Sequence, residues 1–176
     1  VVESGRLMKL TGQSAESVAN FAKFANISGK NMKTVTTEAR AAVVAAESER
    51  GVRLNINKVL DEAGKIGGVI SAQLAGNPAK IAKAVAVAKQ FGMELEKVAA
   101  SGRQLLDFQS NIEAELEAEL LLGRDINLEQ ARLAALTGDH AKYMDEIVKN
   151  AGDFVDFSQM NVMQQNALAE SLGLST

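Results

Sequence analysis

Apolar residues recur along this chain at intervals of three and four, and a glycine or a capping side chain punctuates each run. Val18, Phe21, Ala22 and Ala25 form the first such stripe. Ser14 stands before it with a hydroxyl that can accept an orphan amide, so a helix is expected from Ser14 through Ala25, closed by Gly29. Met32, Val35, Ala39, Ala42 and Ala46 mark a second helix over about Asn31 to Glu49. Gly51 either interrupts it or sits inside a longer helix resuming with Leu54, Val59 and Leu60. Gly64, Gly67 and Gly68 then weaken the helical pattern, each costing about 1 kcal/mol relative to Ala in a helix interior. A hinge, a close helix crossing and a loop all fit that cluster.

Asn77-Pro78 is the sharpest start signal. Asn caps, and Pro in the first turn forfeits no hydrogen bond. That helix carries Ile81, Val85 and Ala88 and stops at Phe91-Gly92. One long helix is expected over about 94–122, with the stripe Leu95, Val98, Leu105, Phe108, Ile112, Leu116 and Leu120 and a C-cap at Gly123. Asn127 and Gln130 then form a capping-box pattern for a short helix with Leu128, Ala131, Leu133 and Leu136. Gly138-Asp139 ends that helix and caps the next, which holds Tyr143, Ile147 and Val148. A last helix after Phe157-Ser158 carries Met160, Met163, Ala167, Leu168 and Leu172 before Gly173.

With one Pro and no alternating β-branched runs, the expected fold is all-α: an elongated multi-helix segment with helical hairpins, completed by self-association. Two regions are expected: 1–76, with a Gly-rich boundary at 64–76, and 77–176, with the long helix and a short-helix anchor over 125–173. Composition adds the reason for self-association. Hydrophobic residues make up 47% of the 176, yet aromatics only 4%. Small apolar side chains bury little area each, at about 25 cal/mol per Å².

The net charge of −3 with scattered Lys and Arg lacks the basic footprint that phosphate backbones need, so sequence-specific nucleic-acid binding is not expected. The absence of Cys removes disulfides, thiol chemistry and zinc ribbons. The first residue is Val and no signal-peptide pattern follows, which reads as a fragment or processed product. The longest charge-free apolar stretch, Ile66 to Ala79, is shorter than the roughly 20 residues that span a bilayer. A soluble chain is expected.

Candidate chemistry is sparse. Glu113, Glu115, Glu117 and Glu119 invite a metal reading, but alternate helix positions point apart, and only the pairs Glu113/Glu117 and Glu115/Glu119 share a face. Di-iron bundles need Glu-x-x-His motifs, and the one histidine, His140, follows Thr137 instead. A solvated acidic face is the reading here, and a surface or capping place is the one for His140. The glycines at 64, 67, 68 and 76 make neither a Walker loop nor a dinucleotide fingerprint. No catalytic, metal or cofactor-binding residue is assigned. Phe154, Phe157, Met160 and Met163 form a possible adaptable partner surface, with core packing as the alternative.

Three segments resemble tail tape measure proteins of contractile-tailed phages. They are the run from Met93 to Gly123 (MELEKVAASGRQLLDFQSNIEAELEAELLLG), the following Asp125-Ile-Asn-Leu-Glu-Gln-Ala-Arg, and Asn161-Val-Met-Gln-Gln-Asn-Ala-Leu-Ala-Glu-Ser-Leu-Gly. The opening Thr11-Gly-Gln-Ser-Ala-Glu-Ser-Val-Ala-Asn-Phe-Ala is similar to short helices of that family. The resemblance implies a helical protein held in the tail tube of the virion, commonly in three copies. It also implies assembly in the host cytoplasm, a role in tail length, docking to tail tube and baseplate hub proteins, and release ahead of the DNA with host-membrane contact. This chain is much shorter than such proteins, so it corresponds to one segment, with hub anchoring as its local task.

The expected contact stripe is Leu95, Val98, Leu105, Phe108, Ile112, Leu116 and Leu120, with Phe154, Phe157, Met160 and Met163 as hub contacts. The alternative is a monomeric helical adaptor or secretion-related scaffold whose Gly-bounded hairpins present a groove. An enzyme is the weakest reading, because no nucleophile–base pair is present.

Overall fold

Capping decides where most helices begin. The computed structural model describes residues 12–151 and 159–174, and among these described residues there are ten helices and no strand. The fold is all-α. The described helices fall into two compact units, one ending at Leu95 and the other beginning at Glu96.

The first unit holds α1 (Ala15–Ser28), α2 (Met32–Arg50), α3 (Ile56–Lys65), α4 (Gly68–Gln73) and α5 (Pro78–Gln90). Ser14 caps α1 through the Ser17 amide, Asn31 caps α2 through Thr34, and Asn55 caps α3 through Lys58. Asn77 accepts from the amides of Ala79 and Lys80 at the start of α5, as its pairing with Pro78 suggests. Gly51 does interrupt the second helix: it closes α2 in the left-handed conformation at φ 68°.

The core of this unit is α5, in which Ile81, Ala82, Ala84, Val85, Ala86, Val87 and Ala88 are all buried. A helix apolar nearly all round belongs in an interior. It packs most extensively on α2, whose buried positions are Val35, Ala39, Val43 and Ala46, and also on α3. Gln90 Nε2 donates to the Ala46 carbonyl at 2.9 Å across the α2–α5 contact. This packing moves the division of the chain. The Gly-rich stretch 64–76 is not where the units part, because the helix after Asn77 is buried against the two helices before it.

The glycine cluster resolves into separate roles. Gly64 lies within α3 where α1 crosses it, and a Cβ at Gly64 would stand 2.6 Å from the Ser17 Cα. Only glycine allows that approach. Ser17 Oγ donates to the Leu60 carbonyl at 3.2 Å, and Asn20 Nδ2 donates to the Gly64 carbonyl at 2.8 Å. The close crossing is thus fastened by two side chains of α1. Gly67 and Gly68 instead start the short α4.

The second unit holds α6 (Leu95–Leu105, beginning at the division), α7 (Phe108–Leu122), α8 (Glu129–Thr137), α9 (His140–Ala151) and α10 (Val162–Ser171). The expected continuous helix over 94–122 is broken. The amides of Leu106 and Asp107 bond back three residues to Arg103 and Gln104, and Asp107 leaves the helical region at ψ 84°. Asp is a weak helix former that competes for backbone groups, and here it stands just ahead of a new helix.

After Gly123 the chain does fold back. Helices α8 and α9 pack as a hairpin, and α10 lies along α7. Asp139 caps α9 through the Lys142 amide at 3.0 Å. Asn127 Oδ1 accepts from Glu129 at 3.1 Å, but the reciprocal capping box forms elsewhere, between Asn161 and Gln164 at the start of α10.

Candidate interaction surfaces

Helix α7 is inside out. Its buried residues are Asn111 and Ala118, whereas Phe108, Ile112, Leu116 and Leu120 are 57%, 48%, 55% and 85% exposed. Steps of four residues advance about 40° around a helix of 3.6 residues per turn, so these four side chains form one slowly winding ridge. The opposite side is engaged by the unit itself. Asn111 Nδ2 donates to the Ser171 carbonyl at 2.8 Å, and Gln164 Nε2 donates to the Leu121 carbonyl at 2.9 Å. Full burial of such a side chain is worth about 1.5–3 kcal/mol, and at half exposure roughly half of that is forgone. Contiguous exposed apolar side chains of this kind make the ridge a candidate interaction surface.

The expected contact stripe therefore divides at the break in the helix. Leu95, Val98 and Leu105 are buried, at 2%, 0% and 0% exposure, and serve the protein's own core. Phe108, Ile112, Leu116 and Leu120 face solvent. Of the proposed hub contacts, Met163 is exposed and Met160 half-buried, while Phe154 and Phe157 lie outside the described residues.

The acidic run is only partly a solvated face. Glu113 and Glu117 are exposed, but Glu115 pairs with Arg132 of α8, whose guanidinium also donates to Asn111 Oδ1 at 2.6 Å. Glu119 accepts from the Ile126 amide at 2.8 Å and so closes the turn after α7. The i, i+4 pair Glu115/Glu119 is thus spent on holding the second unit together. Arg124 donates to the Asn150 carbonyl at 2.7 Å at the C-terminal end of α9, where a cation complements the helix dipole. Among the described residues, no group of three His, Asp or Glu side chains is placed to hold a metal ion.

His140 is buried, contrary to its expected surface place, and its Nε2 has no hydrogen-bond partner. As the first residue of α9 it lies on the inward face, with Tyr143, Met144 and Ile147. Burial pushes its pKa below the ordinary imidazole value; the Asp139 carboxylate opposes the shift and the Arg103 guanidinium adds to it. Nearby in the same unit, Ser101 Oγ and Tyr143 OH share a hydrogen bond of 2.5 Å, and both approach the Leu172 carbonyl. Burial raises the Tyr143 pKa to about 12, against the lowering effect of the Ser101 bond. Gly173 completes this cluster at φ +67°, where a Cβ would stand 2.7 Å from the Ser101 carbonyl oxygen.

The first unit offers a different surface. A groove of about 480 Å³ runs between α1 and the 64–78 stretch, floored by Phe21, Phe24, Ile66 and Ile81 and edged by Ile27 and Lys23. Ile27 is 76% exposed. Pattern reading misses this groove, because its lining comes from α1, α3, α4 and the start of α5, which only packing brings together. Among the described residues, no helix is long and apolar enough to cross a membrane. Compared with protein-family models, with curated proteins and with solved structures, the chain gives no match.

Proposed function

We propose that this chain is a structural segment of a tail tape measure protein of a contractile-tailed phage. In this reading it lies in the virion tail tube as a homo-oligomer, a trimer, and docks to tail tube and baseplate hub proteins. The observation that carries the assembly role is the α7 ridge, whose four large apolar side chains are half or more exposed among the described residues. The resemblance over Met93–Gly123, Asp125–Arg132 and Asn161–Gly173 supplies the kind of assembly, and the ridge lies inside the first of these segments. Tail-length determination and genome ejection belong to the whole protein and come with the same proposal.

The test is the double variant Phe108→Asp and Ile112→Asp in the phage. Both side chains are about half exposed, so the segment is expected to fold and the tails to fail in assembly. Tails of normal length and full infectivity from that variant refute the reading.

A second reading, a monomeric helical adaptor, is favoured by one observation: the apolar groove of the first unit has the size of a small binding cleft, within ~300–1,000 Å³. Sedimentation separates the two, since the adaptor stays monomeric at all concentrations.

A further inference from the structure

The two units differ sharply in charge. Residues 1–95 contain 13 Lys and Arg against 8 Asp and Glu, a net of +5. Residues 96–176 contain 6 against 14, a net of −8, and the two together return the chain's −3. The asymmetry reaches the two apolar surfaces. On α7, Glu113 and Glu117 are exposed beside the ridge and pair with no cation among the described residues. At the groove, Lys23 is a lining residue, and Lys80 lies in the first turn of α5 between the lining residues Pro78 and Ile81 without lining the groove itself; both lysines are exposed and neither forms an ion pair among the described residues.

We propose that the α7 ridge of one copy of this chain docks into the groove between α1 and the 64–78 stretch of a second copy, with Glu113 and Glu117 set against Lys23 and the neighbouring Lys80. The groove offers an apolar lining that includes Phe21, Phe24, Ile66 and Ile81, and an amphipathic helix is recognised by laying its apolar face into such a lining. Pairing the ridge with the same ridge of another copy is disfavoured by charge, since it brings Glu113 and Glu117 of both copies together. Pairing it with the groove sets opposite charges at the rim of an apolar contact, which directs association and fixes its register. The contact is heterologous, so copies join head to tail and close into a ring when the rotation between them allows it. The inference rests on reading the ridge as a protein contact, and not on the phage assignment.

The test uses the full chain in sedimentation velocity at low and high salt. Wild type associates at low salt and is weakened at about 0.5 M, where the Debye length has shrunk to ~4 Å. Lys23→Glu with Lys80→Glu weakens association about tenfold or more, and so does Glu113→Lys with Glu117→Lys. The four changes combined in one chain restore it. The decisive step is mixing. A ridge variant (I112D with L116D) and a groove variant (K23E with I27D) fail to associate alone, but together retain one intact ridge and one intact groove and form a one-to-one pair.

If groove variants associate like wild type while ridge variants do not, the inference is overturned and the ridge remains a contact for something else. If wild type is monomeric at low salt and high concentration, the inference and the homo-oligomer reading both fall. Circular dichroism checks the fold of each variant. The charge swaps change exposed side chains only, which keeps the test open if an apolar variant unfolds.

Discussion

Gly64→Ala is a sharp test of how the first unit is built, because two opposing effects of known size meet there. An Ala gains about 1 kcal/mol over Gly in a helix interior. Against that, its Cβ would lie 2.0 Å from Ser17 Oγ, 2.5 Å from Ser17 Cβ and 2.6 Å from Ser17 Cα. The last of these is backbone, so no rotamer change relieves it. Helix α1 must withdraw by roughly 1 Å to restore ordinary contact, an overpacking response that costs about 1–3 kcal/mol. Withdrawal also stretches the Ser17–Leu60 and Asn20–Gly64 hydrogen bonds, each worth about 1 kcal/mol. The balance is a net loss of about 2–3 kcal/mol.

With a urea m-value of ~2 kcal/mol/M, the midpoint drops by about 1 M or slightly more. Hydrogen exchange should place the loosening in α1 and α3. Adding Ser17→Gly removes the Oγ and Cβ contacts but leaves the Cα, so it recovers only part of the loss. Gly102→Ala is the control: its Cβ meets the Ala135 methyl at 3.3 Å and otherwise finds Ala135 Cα and Tyr143 Cε2 at an ordinary 3.9 Å, and the change stays within about 1 kcal/mol of wild type. A Gly64→Ala protein as stable as wild type, or more so, refutes the close crossing.

Three further outcomes are expected. His140 has a depressed pKa when folded, so the unfolded chain binds its proton more readily; stability is held above about pH 6.5 and declines as pH falls through that value toward the folded pKa. Urea midpoints at pH 7.5 and pH 5 measure this, and His140→Gln should flatten the dependence; an unchanged slope counts against the buried neutral imidazole. Tyr143 is the chain's only tyrosine, so ultraviolet titration reports it alone: ionisation should wait until about pH 12, and a transition near 10 in the folded protein contradicts its burial. Arg132→Ala strips the partner from the mostly buried Glu115 and from Asn111, and should cost about 2–4 kcal/mol by denaturation; a loss under 0.5 kcal/mol means the pair is solvated.

Local physics made much of this molecule legible in the sequence. Ser14, Asn77-Pro78, Gly123 and Gly138-Asp139 act where capping chemistry places them, because a cap depends on a few neighbouring residues and an orphan amide or carbonyl. The all-helical class follows from the same cause, since three-and-four periodicity with one Pro leaves no room for strands. What the sequence does not carry is which apolar stripe finds a partner. Leu105 and Phe108 belong to one periodic series, yet the turn at Leu106-Asp107 sends the first into the core and the second into solvent. Gly64 reads as helix-weakening until α1 is seen crossing it. Glu115 and His140 read as surface residues until Arg132 and the inward face of α9 are in place. Burial is a property of two surfaces meeting, and only the tertiary structure says which surfaces meet. It leaves the α7 ridge exposed because Asn111 and Ala118, not the large apolar residues, are the buried ones of α7, and Asn111 is tied to Ser171 of α10.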